Sequence, residues 1–278
     1  MDFVRQYPEY ATKFTQAVAI SVLPEDRLGK WAGQSFHDKN YLRSQVKMTK
    51  ALAVDSRDLH NVLAKELQEH RVVKAGGGVN EQKDSLAAKA SEFATHAVLY
   101  RFTRGFCEGR RGLDKAPIKN PNLTSETYDI WKTRINEYVT ELHRALPHWT
   151  ADPDTRKDYL GRASAALQAL GLIGNDLTKV KDVTTRREMV QRLSEAHLDW
   201  RRSNVSVWGD VIGTVVTDEN GRQSVTPKSS RQAIDGTIRF LRERTGLAEF
   251  LAQMAQQAHE AMVKALTAED TDGTDEEE

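Results

Sequence analysis

The chain has 278 residues, of which 39% are hydrophobic and 29% charged, enough for one large domain or two small ones. No apolar run approaches the ~20 residues that a membrane span needs, and MDFVRQYPEY lacks the basic-then-apolar order of a signal peptide, so a cytoplasmic protein with no membrane contact is expected. The single Cys107 excludes an intramolecular disulfide and a cysteine-rich zinc site.

Charge is balanced in total, 40 basic residues against 40 acidic ones, but it is not evenly spread. The last ten residues carry seven acids and no base, which leaves 40 bases against 33 acids over residues 1–268, a net of +7. A modestly basic body suits a polyanionic partner, and a disordered acidic tail at 269–278 would compete for the same surface.

Residues 1–24 read as an N-terminal segment whose strand, Val18 to Leu23, is stopped by Pro24. Residues 25–247 read as a helical domain with one hairpin. Glu25 to Asn40 is its first helix, with Leu28, Trp31 and Phe36 apolar. Gln34 to Asp38 are polar, but the adjacent His37 and Asp38 diverge on a helix and make no site. Arg57 to Glu69 is a second helix, with Leu59, Val62, Leu63 and Leu67 on one side. Gly76-Gly77-Gly78 reads as a flexible loop, because no Gly-Lys-Ser/Thr follows at phosphate-loop spacing.

Ser85 to Phe106 is the most apolar helical stretch and is expected at the centre of the core. It leads into Arg101, Arg104, Arg110, Arg111, Lys115 and Lys119, opposed only by Glu108 and Asp114. Gly105, Gly109 and Gly112 are expected to break the helix and to leave these cations on a loop. Thr124 or Ser125 caps the next helix, which Pro147 ends; Tyr128, Trp131, Ile135, Tyr138, Leu142 and Leu146 keep helical spacing. His143 and His148 have no carboxylate at ligand spacing, so no metal site is expected. Asp152-Pro153 starts a helix stopped by Gly171, and Thr185 with Glu188 makes a capping box for a helix to about His197.

The stretch from Glu195 to Leu247 carries the densest signals. Asp199-Trp200-Arg201-Arg202-Ser203-Asn204 joins an aromatic to two planar guanidinium groups and two neutral donors, a mixture that suits phosphate oxygens. The alternative is that Trp200 and Trp208 fill a core while Asp199 pairs with an arginine. Val211 to Val216 and Arg222 to Thr226 flank Asp218-Glu219-Asn220-Gly221, a strong hairpin signal. Ser229 or Ser230 then caps a helix that runs to Thr245 and stops at Gly246. Ile234, Ile238 and Leu241 mark its buried face; Arg231, Asp235, Arg239 and Arg242 mark its polar face. Lys228 and Arg231 sit near the helix start, where backbone N–H groups favour anions. The last helix, spanning 248–268 as a separate element, shows a weak heptad seam at Leu247, Leu251, Met254, Ala258, Ala261 and Ala265. That seam either packs on its own domain or joins two copies through residues 247–266.

Leu198 to Asn204, Trp208 and the helix ending Thr245-Gly246-Leu247 resemble the C-terminal part of the DndB proteins, the DGQHR-type proteins of DNA phosphorothioation systems. Asp158-Tyr159-Leu160 through Ala165-Ala166-Leu167-Gln168-Ala169-Leu170-Gly171, and Lys83-Asp84-Ser85-Leu86 to Phe93 and Tyr100, resemble two helices of that family. The likeness spans about residues 36–247 in order. The Asp-Gly-Gln-His-Arg motif itself is absent from the chain, so nothing about nucleotide hydrolysis carries over. The resemblance implies a DNA-binding regulator of modification genes and, as partners, double-stranded DNA and other proteins of the system.

The expected fold is mainly α, a multi-helix bundle-like domain with one hairpin near 211–226. Under the DNA-binding reading the phosphate contacts fall on Arg201, Arg202, Asn204, Lys228, Arg231 and Arg239, with Arg104, Arg110 and Arg111 as a second patch. Without a nucleophile elbow, metal cluster or phosphate loop, neither an enzyme nor a cofactor is expected. A helical protein–protein interaction module without DNA contact is the alternative.

Overall fold

The computed structural model describes Met48, Leu52 and residues 55–269 apart from 89, 115 and 116. The expected strand at 18–23, the helix at 25–40, Lys115 and the acidic tail beyond 269 lie outside these residues.

The described chain is mainly α with two small two-stranded sheets. Helix α1 (Leu59–Gln68) starts where the Asp58 side chain accepts from His60 N, and it buries Leu63, Ala64 and Leu67. The short α2 (Arg71–Ala75) ends at the triple glycine. There the chain makes a hydrogen-bonded turn, Gly78 N to Val73 O at 2.9 Å, and enters strand β1 (Val79–Asn80). Strand β1 pairs in parallel with β2 (Ala94–Thr95), in the register Val79↔Ala94 and Asn80↔Thr95.

This second sheet corrects two expectations. Helix α3 begins only at His96 and runs to Glu108 (His96–Glu108), capped by Thr95 Oγ1. Residues 94 and 95 are committed to the ladder, so the helix cannot reach back to Ser85. Gly105 sits inside α3 rather than ending it; Gly109 ends it, and the 3-10 turn Gly109–Leu113 follows.

Helix α4 (Tyr128–Ala145) starts at Thr127, later than expected, because Thr124 and Thr127 exchange side-chain and backbone hydrogen bonds in a preceding turn. The Asp152-Pro153 start gives only the 3-10 turn Pro153–Lys157. The real helix is α5 (Ser164–Leu177), buried over residues 165–177. Gly171 does not stop it. A Cβ there would lie 2.5 Å from Phe102 O, so the missing side chain lets α5 cross against α3. These two helices form the central pair of the core, and α1 packs on α3. Helix α6 (Val183–Gln191) is capped by Asp182, whose carboxylate accepts from Thr185 N at 2.6 Å. The Asp182 cap places Thr185 inside the helix, so the expected capping box is not formed.

After α7 (Val205–Trp208), strands β3 (Gly213–Thr217) and β4 (Gln223–Pro227) form the expected antiparallel hairpin around Asn220-Gly221, one or two residues later than read. Helix α8 (Arg231–Thr245) has Ser230 as its N-cap and Gly246 at φ 75° as its stop, a left-handed position that glycine occupies without strain. It packs on α5. Helix α9 (Leu247–Glu269) is anchored by the buried Leu247 and the partly buried Phe250, and is exposed from Ala252 to Met262.

Trp200 and Trp208 belong to the core. Their rings lie 4.9 Å apart, and Trp208 meets Phe240 edge-on at 5.0 Å. Each indole N–H is satisfied, Trp200 by Leu193 O and Trp208 by Asp199 O, both at 2.7 Å. Neither indole is presented to a ligand.

Candidate nucleic-acid interface

Residues 199–202 run extended between two neighbours. Leu160 N donates to Trp200 O at 2.9 Å, Arg202 N to Asp158 O at 2.7 Å, and Val225 N to Arg202 O at 2.9 Å. Successive side chains of an extended chain point opposite ways. Trp200 therefore enters the core, Arg201 faces solvent, and Arg202 turns inward, where its Nη2 donates to Arg156 O at 3.0 Å.

Arg202 opens onto a recess of about 350 Å³. Four further cations line it: Arg101 of α3, Arg156, Arg162 just before α5, and Lys228 between β4 and α8. Asp84 is the one carboxylate in that lining. Arg156 is 7% exposed and Arg162 1%. Arg156 Nη1 donates to Phe93 O at 2.9 Å, and Arg162 Nη1 to Gly76 O at 2.7 Å. Among the described residues no carboxylate pairs with Arg156 or Arg202, and the buried Arg202 Nε has no partner. Burial, and then the charges of Arg162 and Arg202, push Arg156 down to about 10, so it stays protonated at neutral pH.

The backbone reinforces the charge. The first turns of α3 and α5, and the link into α8, all contribute to the lining. The N-cap of α5 is Ala163, which offers no side-chain acceptor to the first N–H groups. Two helix starts, the link into a third and five cations thus line one concavity, which raises the potential for anions there.

The remaining sequence candidates lie elsewhere. Arg201 is held by Asp199 through two contacts of 2.9 Å. Asn204 donates to Asp199 O at 3.4 Å and accepts from Ser206 Oγ at 3.1 Å, which gives it a local structural role. Arg110 donates to both carboxylate oxygens of Asp235, at 2.6 and 2.9 Å. Arg231 meets the same Asp235 and also Asp114, so two cations there face two carboxylates. Arg111 contacts the buried Glu108 and Asn122. Arg104 is buried on α3, with its guanidinium 5.6 Å from the Tyr100 ring centroid. Arg239 is exposed, without an ion pair among the described residues.

Of the nine sequence candidates, Arg202 and Lys228 reach the recess. Arg156 and Arg162 were missed, because the cations around 156–162 are interspersed with Asp152, Asp154 and Asp158 and form no marked basic run. The available signal was two arginines in the segment that leads into the apolar helix Ser164–Leu177. Among the described residues, no group of three or more His, Cys, Asp or Glu is arranged to hold a metal, and no helix is long and apolar enough to cross a membrane.

No curated protein and no solved structure matches the chain. The family model of DndB, described as DNA-sulfur modification-associated, matches residues 2–248. That match extends the resemblance upstream of residue 36 and covers most of the chain, so the protein belongs to the DndB family of DNA-sulfur modification-associated proteins.

Proposed function

We propose that this protein is a cytoplasmic, DNA-binding regulatory or accessory member of a DNA phosphorothioation system, meeting duplex DNA mainly through phosphate contacts. Two things support the reading: membership of a family associated with DNA sulfur modification, and the recess. The observation that carries it is the gathering of Arg101, Arg156, Arg162, Arg202 and Lys228 against the single carboxylate of Asp84. Arg156 and Arg202 form no ion pair among the described residues and bond to main-chain oxygens, which leaves their charge available to phosphate, whereas Arg110, Arg201 and Arg231 are ion-paired.

Each neutralised phosphate releases counterions, so affinity falls steeply with salt. A gel-shift series between about 50 and 200 mM salt is expected to show such a fall, with Arg202→Gln and Lys228→Gln each reducing the log–log slope by about one. No shift at the lowest salt, or a slope untouched by both substitutions, contradicts the proposal. The reading assigns no chemical step to the chain, and nucleotide turnover by the pure protein would count against that part. The alternative, a helical interaction module that dimerises without DNA contact, draws on the exposed stretch of α9 from Ala252 to Met262.

A further inference from the structure

The geometry points to a phosphate monoester as the group held in the recess between α3, α5 and the β4–α8 link: the dianionic end of a free mononucleotide or of a 5′-phosphorylated strand. This deepens the phosphate-contact reading at the same site, and its test separates the two.

Size is the first argument. A volume of about 350 Å³ falls in the range of small-ligand sites, roughly 300–1,000 Å³. A recess of this size suits a phosphate group together with its immediate substituent.

Charge is the second. A backbone diester carries one negative charge, and a monoester carries about −1.5 to −2 at neutral pH. Among the described residues the lining holds more cations than carboxylates, which favours the ligand with more charge. Buried charges are ordinarily paired, and like charges brought together out of water repel. Arg156 nonetheless donates to main-chain oxygens, and Arg202 to Arg156 O. Glu92 and Asp158 act on these two arginines through space without an ion pair, and a dianion between them adds a directly bonded counter-charge.

Donor geometry is the third. The buried Nε of Arg202 lacks a partner, and the fork of a guanidinium matches two oxygens of one phosphate. Ala163 leaves the N-terminal N–H groups of α5 without a side-chain cap beside the same cavity, an arrangement that binds phosphate oxygens. Lys228, exposed at the edge, adds a further cation to the lining.

The experiment is calorimetric titration of the full chain with inorganic phosphate, then with adenosine 5′-monophosphate, and with a short single strand bearing either a 5′-phosphate or a 5′-hydroxyl. Inorganic phosphate is expected to bind, with Arg202→Gln weakening it about tenfold and Lys228→Gln several-fold. Circular dichroism checks that each variant is folded; should Arg202→Gln not fold, Lys228→Gln, on an exposed side chain, carries the test. The mononucleotide binding more tightly than phosphate identifies a free ligand. The phosphorylated strand outbinding the hydroxyl strand identifies a strand end. No heat from inorganic phosphate up to about 10 mM, a concentration at which even weak specific sites fill, overturns the inference, as does wild-type affinity in both variants. Salt-dependent DNA binding without phosphate binding overturns this inference alone; phosphate binding without a DNA shift overturns only the DNA reading.

Discussion

Glu108 shows how much a single buried side chain can organise. Its Oε1 accepts from Leu123 N at 3.0 Å and faces His60 Nε2 at 2.9 Å, and its Oε2 accepts from Asn122 N at 2.9 Å and from Arg111. His60 Nδ1 in turn faces Asp58 Oδ1 at 3.1 Å, and Tyr100 donates to Asp58 Oδ2 at 2.6 Å. With a carboxylate at each ring nitrogen, His60 is an imidazolium. Burial alone would lower its pKa, but hydrogen bonds to Asp58 and Glu108 raise it above the ordinary histidine value. Burial would raise both carboxyls, yet the hydrogen bonds they accept hold each down to about 2. The carboxylates therefore stabilise the fold above their unfolded pKa values and lose that contribution as pH falls toward 2. His60 contributes fully below 6.5 and loses its contribution as pH rises through its raised folded value. His96, which burial and then the Lys65 charge hold down to about 4, acts in the opposite sense below pH 6.5. The informative quantity is thus the difference between wild type and His60→Gln. At pH 6 this substitution is expected to cost about 3 kcal/mol, and the gap should narrow as pH rises above 6.5, measured by denaturant unfolding. A gap that stays constant with pH means that His60 is neutral in the folded protein.

Two glycines test the packing of α3 against α5 at the level of the helix pair. At Gly105 a Cβ would meet Leu172 Cδ1 at 3.4 Å, Leu113 Cδ2 at 3.6 Å and Leu172 N at 3.6 Å, ordinary van der Waals contacts. At Gly171 it would meet Phe102 O at 2.5 Å and Phe102 Cα at 3.0 Å, which are backbone atoms of the facing helix. Alanine gains up to ~1 kcal/mol over glycine in a helix interior, whereas overpacking a close crossing costs about 1–3 kcal/mol. Gly105→Ala is expected to be neutral or mildly stabilising, and Gly171→Ala destabilising by about 2 kcal/mol, read from thermal or denaturant midpoints. Equal effects at the two positions would show that the α3–α5 crossing is not as close as described. Neither glycine acts as the helix stop that local sequence suggests; each marks a place where another element approaches.

For the molecule as a whole, the open question of assembly rests on α9. Its heptad seam is divided: Leu247 is buried in its own domain, while Met254 is 39% exposed, and Met262 beside the seam is 63% exposed. A single helix in water, with alanine at half of its seam positions, has little to stabilise it beyond its anchor. A second copy laid against this face would cover the outer half. Light scattering is then expected to give a dimer for the full chain and a monomer after deletion of residues 252–278, a cut that keeps Leu247 and Phe250 in place. A monomeric full chain at tens of micromolar removes the dimer.

Features encoded over a few residues were legible in advance. The helices near 59–68 and 128–145, the Asn220-Gly221 hairpin, the Ser230 cap and the Gly246 stop all follow from side-chain periodicity and local backbone preference. The mainly α fold follows from their sum. What the tertiary structure decided are matters of long-range pairing. The start of α3 depends on a strand fifteen residues upstream. Arg110 is neutralised by an Asp235 that lies 125 residues away, while Arg202 escapes such pairing because its extended segment turns it inward beside Arg156. An arginine reads alike in sequence whether it will meet a carboxylate, a carbonyl or water. Only the packing of distant segments sets which of these it meets, and with that whether its charge remains available to a ligand.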